Sequence, residues 1–183
     1  MQDQNLGKLN IIVAVYGLKT VTEKIANLII DGNPQTLDFK VNNQIIGEDG
    51  WRGQRKSIMI VYNYDGGDLQ VAAAKEDDIL SISPDKLKTP KFISNESNEN
   101  SDKLSVLAAS YGPDDVTYKV RNLISSYNTL SFVVSNSVFG DSWYGVAKIL
   151  VIVLGSGSEV KGVEVFAERE NCYIDLNDAV PAL

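Results

Sequence analysis

The chain has 183 residues, a net charge of −7 and no histidine, with 44% hydrophobic and 22% charged residues. This composition is that of a globular protein with one large domain or two small ones. The lack of histidine excludes histidine-containing triads, histidine general bases and histidine zinc ligands. No cluster of Lys and Arg offers a basic face, so nucleic acid is not an expected partner.

The first segments of the chain predict a strand and then a short helix. "KLNIIVAVYGLK" is too short to span a bilayer, which takes about 20 apolar residues, and is typical of a buried strand. "TVTEKIANLII" places apolar residues at i, i+4, i+7 and i+8, which is one stripe of a helix. Thr20 and Glu23 predict a capping box at its start. A strand over this segment is the alternative.

The next segments alternate apolar and polar residues. "LDFKV" and "SIMIVYNY" both show the period of two that predicts half-buried strands. The residues that we expect to face the core are Leu37, Phe39, Val41, Ile58, Ile60, Tyr62 and Tyr64. The Gly-rich "YDGGD" predicts a hairpin that joins the second of these strands to "LQVAAA".

A polar segment separates the two halves of the chain. Residues 83–102 are rich in Ser and Asn and contain two prolines, which predicts an exposed connector. Beyond it, "SYGPDDVTYKVRNLI" aligns with the earlier "VYGLKTVTEKIANLI", and "LSFVVSN" aligns with "LDFKVNN". Trp51, Gly53 and Lys56 then correspond to Trp143, Gly145 and Lys148. Order and spacing agree over most of each half, which indicates a duplication.

The second half supplies three more predicted features. "KILVIVL" is apolar on both faces, which predicts a strand in the middle of a packed sheet. "GSGS" lacks the Lys of a phosphate-binding loop and predicts a hairpin turn. The single cysteine, Cys172, cannot form an internal disulfide and is expected to be a small buried residue in a strand.

These elements predict a mainly β fold of two tandem, small β-sandwich-like modules, each with one short helix. The modules span residues 9–82 and 104–176, with the connector at 83–102.

The repeated motifs resemble an uncharacterised β-rich domain that occurs at the C-terminus of a mitochondrial J-domain co-chaperone and in microbial proteins. The second module is the closer match, and its matching residues are Tyr111, Gly112, Asp115, Val116, Thr117, Lys119, Gly140, Asp141, Trp143, Gly145 and Lys148. The first module departs at Lys19-Thr20 and in the longer "GEDGW". The resemblance implies a non-enzymatic binding or assembly role. It does not extend to co-chaperone activity, because the His-Pro-Asp motif of a J domain needs a histidine.

Each module places a tryptophan in a glycine-bounded loop just before an apolar strand. One interpretation is a lid, in which the indole covers the open end of the sandwich and Lys56 and Lys148 keep their charges in water. The other is a platform, in which the indole stacks on a sugar and polar neighbours bind its hydroxyls. The candidate ligand-binding residues are Trp51, Asn43, Glu48, Asp49, Trp143, Asn136 and Asp141.

Acidic residues supply weaker candidates. Loop aspartates could offer oxygen ligands to calcium, although no EF-hand spacing is present. Glu168 and Glu170 lie at i, i+2, as a glycosidase pair could, but nothing else suggests a cleft. No metal site, cofactor or catalytic residue is therefore predicted. The aspartates in question are Asp65, Asp68, Asp77, Asp78, Asp114 and Asp115.

The favoured interpretation is a non-catalytic, lectin-like binding protein that recognises a glycan or a protein surface bivalently. The first alternative is a structural or assembly subunit, or a toxin or effector component, that acts through protein–protein or cell-surface contact. The second is a metal-dependent hydrolase. The N-terminus lacks the basic start of a secretory signal, so we expect a cytoplasmic location, with unconventional release as the alternative. No membrane span is predicted, and the sequence does not determine the oligomeric state.

Overall fold

The structure is a computed structural model that describes residues 7–84 and 104–177. The same order of elements occurs twice along it. The first series is β1 (Leu9–Tyr16), β2 (Lys19–Thr20), α1 (Thr22–Ala26), β3 (Leu37–Lys40), α2 (Asn43–Ile46), β4 (Ser57–Tyr64), β5 (Gln70–Lys75) and β6 (Ile79–Ile82). The second is β7 (Ser105–Tyr111), β8 (Asp114–Asp115), α3 (Thr117–Asn122), β9 (Thr129–Val133), α4 (Asn136–Phe139), β10 (Ile149–Ser156), β11 (Glu159–Ala167) and β12 (Asn171–Asp175).

Each series forms a four-stranded sheet and a two-stranded sheet, and all the strand pairs are antiparallel. The strand orders are β2-β1-β4-β5 with β3-β6, and β8-β7-β10-β11 with β9-β12. The two orders are the same when the series are superposed. The predicted mainly β, two-module fold is therefore confirmed. Most of the predicted connector, residues 85–102, lies outside the described part of the chain.

The first core lies between the four-stranded sheet of the first module and its two-stranded sheet. All seven residues that the period-two pattern assigns to the core contact it, and Tyr64 is the one that stays half-buried. Ile25 of α1 joins them with no exposed surface. The second core repeats this arrangement around Leu130 and Val120. Cys172 belongs to it, and burial raises the pKa of this thiol to about 12, so it is a packing residue, as expected.

A third core, here called the junction core, lies between the two four-stranded sheets. Alternate residues of the central strands β4 and β10 face outward from their own modules and meet here. The apolar character of β10 on both faces predicts this burial, whereas the prediction that β4 is half-buried is wrong, because Met59 and Val61 are buried in the junction core. The buried residues of the junction core are Val13, Val15, Met59, Val61, Leu69, Leu107, Ala108, Ile149, Val151 and Val153. Burying an aliphatic side chain is worth about 1.5–3 kcal/mol, so a contact of this size joins the modules firmly.

The helices differ from their prediction in length, number and capping. α1 covers Thr22–Ala26 only, and α2 and α4 add a second short helix to each module. The predicted capping box is wrong, because Val21 is the N-cap and makes no side-chain cap bond. Thr22 instead uses its hydroxyl to accept the Ala14 backbone N–H at 3.1 Å. This bond ties the start of the helix to β1.

Candidate functional site

The structure places Trp143 at the junction between the modules. Its indole is buried, and two cationic side chains of the first module lie beside it: the Arg55 guanidinium carbon is 5.1 Å from the ring centre and Lys75 Nζ is 5.6 Å from it. Such distances permit cation–π attraction. The Trp143 ring is thus covered at the junction, beside side chains of the other module.

Trp51 occupies the matching loop of the first module and is half-buried against the junction core. Its backbone N–H donates to Asp49 Oδ1 at 3.3 Å. The neighbouring Gly50 lies so close to β1 that a Cβ there would meet the Tyr16 carbonyl oxygen at 1.8 Å. This approach explains why a glycine precedes the tryptophan. Both indoles therefore take part in contacts of the junction.

Lys56 is the centre of a buried polar cluster in the first module. Its Nζ lies 3.2 Å from Asp49 Oδ1 and 3.2 Å from Glu76 Oε1, and 5.4 Å from the centre of the Tyr16 ring. Tyr16 is fully buried, and its hydroxyl oxygen lies 3.0 Å from Asn43 Oδ1 and 2.9 Å from Glu76 Oε1, so these two acceptors share its single proton. Burial and the bond to Glu76 raise the pKa of Tyr16.

The second module repeats this cluster around Lys148. Its Nζ lies 2.6 Å from Asp141 Oδ1, and its backbone N–H donates to Glu168 at 3.1 Å. Tyr111 lies under the amine, with 5.7 Å from Nζ to the ring centre, and donates to Asn136 at 2.9 Å. Burial, followed by the charges of Glu168 and Asp141, raises the pKa of Tyr111.

These clusters correct the expectation that both lysines keep their charges in water. Lys56 and Lys148 are only 3% and 2% exposed. A buried ammonium requires opposite charge and hydrogen-bond acceptors, which Asp49 and Asp141 supply from the loops after α2 and α4.

Of the seven predicted ligand-binding residues, four contact buried side chains of their own module. Asn43, Asn136, Asp49 and Asp141 contact the buried tyrosines and lysines described above. The fifth, Glu48, pairs with Lys19 at 2.8 Å and Lys24 at 2.9 Å. Hydrogen bonds from these two lysines lower the pKa of Glu48 to about 2. The structure thus gives each of these polar residues a partner within the chain.

The acidic candidates also have local contacts. Asp65 accepts the backbone N–H groups of Gly7 and Lys8 at 2.8 and 2.9 Å. Asp115 accepts from the backbone N–H of Thr117 at 2.9 Å, at the start of α3. Glu170 accepts from Ala167 at 2.8 Å. Within residues 7–84 and 104–177, no three Asp, Glu or Cys residues form a group that could hold a metal ion.

The exposed faces of the outer sheets hold residues that the sequence analysis did not single out. On β3 and β6 these are Asp38, Lys40 and Ile79, and Ile79 is 72% exposed. On β9 and β12 the matching positions hold Ser131, Val133 and Asn171, with Tyr173 beside them at 67% exposed. The sequence contained a signal for these exposed residues, because they differ between the two copies, whereas the residues of the buried clusters are the same in both.

No family model, no curated protein and no solved structure matches this chain. The resemblance to the β-rich co-chaperone domain therefore stays a prediction. Among the described residues, no helix has the length and apolar character that a membrane crossing requires.

Proposed function

We propose that this protein is a non-catalytic binding protein whose ligand is a glycan or a protein surface. One observation carries the proposal: the tyrosines and lysines of the buried clusters are shared by the two copies, whereas the exposed residues on the faces of the outer sheets differ. Tyr16 and Tyr111, like Lys56 and Lys148, are buried. Residues that both copies need for folding are thus separated from a surface that is free to specialise for binding.

The order of the sheet layers argues against bivalent binding of one surface by both modules. The junction core joins the two four-stranded sheets, so the two-stranded sheets lie at opposite ends of a four-layer stack. Packed sheets are about 10 Å apart, which separates the outer layers by about 30 Å. Avidity on one flat surface requires both sites to face it. The outer faces would instead bridge two different ligands.

A glycan array and a protein array, both probed with the full chain, test the proposal. We expect binding to at least one class, and failure on both arrays would refute it. Isolated modules are a poor probe, because separation exposes the junction core. Two matched variants locate the binding face: Ile79→Ser on the first module and Tyr173→Ser on the second. We expect each variant to weaken the binding of a different ligand, because the exposed faces of the two modules differ.

Assembly is the second candidate function, and the edge strand β11 favours it. β11 has nine residues and lies at the end of its sheet, and no described strand pairs with its outer edge. An open edge can pair with a strand of another chain. Native mass spectrometry of the full chain separates the candidates, since an assembly subunit should multimerise and a simple binding protein should stay monomeric.

A further inference from the structure

The junction carries a cluster of cations that joins the two modules at one point. Arg55 and Lys75 belong to the first module, and both lie within 6 Å of the centre of the Trp143 ring of the second. Lys75 Nζ also donates to the Ser142 carbonyl oxygen at 3.2 Å. The loop that bears Trp143 is therefore held by two positive charges from the other module.

Few negative charges offset this cluster. The Arg55 guanidinium lies 4.0 Å from the Asp77 carboxylate, which is a long ion pair. The same carboxylate pairs with Lys40 at 3.2 Å. No carboxylate of the described residues lies within 4.0 Å of Lys75 Nζ. Two cations, Lys40 and Arg55, thus share the Asp77 carboxylate, and Lys75 has none this close, on a chain whose net charge is −7. Cations with few carboxylate partners favour the binding of an anion.

An exposed aromatic ring lies next to this cluster in the chain. Tyr144 follows Trp143 directly and is 92% exposed, and the Arg55 side chain is 55% exposed. A tyrosine in water offers a flat apolar face and a hydroxyl that can donate or accept. An exposed aromatic residue therefore directly follows, in the chain, the tryptophan that the two cations contact.

The other copy lacks this combination. The matched backbone bonds Glu76 N to Lys56 O and Glu168 N to Lys148 O, both 2.8 Å, fix the correspondence between the copies. In that alignment Ala147 replaces Arg55 and Ala167 replaces Lys75. Arg52 stands where the second module has Tyr144. The fold that the two modules share does not require these side chains, which places their role at the junction.

We propose that Arg55, Lys75 and Tyr144 bind an anionic sugar at the module junction. The carboxylate or sulfate of the sugar binds between the two cations, where the Arg fork can donate two parallel hydrogen bonds. The C–H face of the sugar packs on Tyr144. This inference rests on the proposed binding function, and it assigns that function a site and a ligand chemistry.

Calorimetric titration of the full chain tests the ligand chemistry. The probes are a dextran sulfate oligosaccharide, a carboxylated oligogalacturonate, a neutral dextran oligosaccharide, a polyglutamate peptide and a single-stranded oligonucleotide. We expect one of the two anionic sugars to bind, and its affinity to fall as salt is raised. Which of the two binds tells carboxylate from sulfate recognition.

Variants test the residues. Arg55→Ala with Lys75→Ala gives the first module the residues of the second, and we expect it to lower affinity about 10-fold or more. Tyr144→Ala should lower affinity about 5-fold, and Lys75→Arg should keep most of it because the charge remains. Lys19→Ala with Lys161→Ala removes the same charge elsewhere and should leave affinity unchanged. Circular dichroism verifies that each variant folds. If the double variant unfolds, Tyr144→Ala and the comparison of Lys75→Ala with Lys75→Arg decide.

Several outcomes would overturn the inference. Unchanged affinity in the Arg55/Lys75 double variant would do so, and so would equally tight binding of the peptide or the oligonucleotide. Binding of only a neutral glycan or a protein would refute the anionic-sugar site and leave the binding function standing. If the chain bound nothing on either array and none of the probes, both the anionic-sugar site and the binding function would be refuted.

Discussion

Lys56 and Lys148 illustrate how a single residue can be conserved between the copies for folding alone. Each amine is buried over a tyrosine ring and beside an aspartate, and each needs that aspartate because a buried charge without a partner is costly. The sequence placed these lysines at the start of the correct strands. It could not show their burial, because an exposed and a buried lysine look alike without the loop that covers them.

Replacing Asp141 tests this interpretation. Asp141→Asn leaves the Lys148 amine without the carboxylate that is 2.6 Å away, and we expect the free energy of unfolding to fall by about 2 kcal/mol or more. Chemical denaturation measures it. Glu159→Gln is the matched control, because Glu159 pairs with Lys161 at the same 2.6 Å but on the surface. It should cost at most about 0.5 kcal/mol. Equal losses would contradict the argument.

The Glu48 pair gives a prediction about pH. The folded pKa of Glu48 is about 2, below its ordinary value of 4.5, so its stabilising contribution is complete above pH 4.5 and is lost as the pH falls towards 2. Glu48→Gln removes this contribution. Denaturation from pH 7 to pH 2 should show a stability gap between the two proteins that closes only below pH 4.5. A gap that does not change with pH would contradict the assignment.

At the scale of elements, the sequence predicted strands better than helices. Period-two alternation identified β3 and β4 and the residues of each that face the first core, but it did not show that β4 is buried on its other face as well. The helical stripe that begins at Val21 was real, but only Thr22–Ala26 is α-helical. The capping box failed because Thr22, and not Thr20, makes the side-chain bond at the helix start, and its partner is β1. Such a tertiary partner cannot be read from local spacing.

The approach of the Trp51 loop to β1 gives a prediction at the same scale. Gly50→Ala places a Cβ 1.8 Å from the Tyr16 carbonyl oxygen, so the loop must move, and we expect a loss of about 3 kcal/mol in unfolding free energy. Gly53→Ala is the control: it has a φ of +74° but open space around its Cβ, and should cost about 1 kcal/mol. Thermal unfolding compares them. A loss at Gly50 no larger than at Gly53 would contradict the close approach.

At the scale of the molecule, the duplication could be predicted from the sequence, but the junction between the modules could not. "KILVIVL" showed that β10 is covered on both faces, but the pattern could not say that the first module supplies the cover. The contacts of the candidate platform residues were hidden for a related reason. Sequence shared between copies marks what the fold needs, and Asn43 and Asp49 contact the buried Tyr16 and Lys56.

A single substitution in the junction core tests its contribution. Val153 is fully buried there, and Val153→Asp places a charge between the sheets, so we expect the free energy of unfolding to fall by more than about 3 kcal/mol. Val133→Asp on the exposed face of β9 makes the same chemical change at a site that is 50% exposed and should cost little. Chemical denaturation of both variants gives the comparison.

The most direct measurement of the module junction is to cut the chain between the modules. A protease site is inserted within residues 85–103, the protein is cleaved, and the products are weighed by native mass spectrometry. If the junction core joins the two sheets, the halves should stay together as one particle of about the mass of the uncut chain, and Val153→Asp should let them separate. Halves that part at once in the unsubstituted protein would contradict the packing of the two modules against each other.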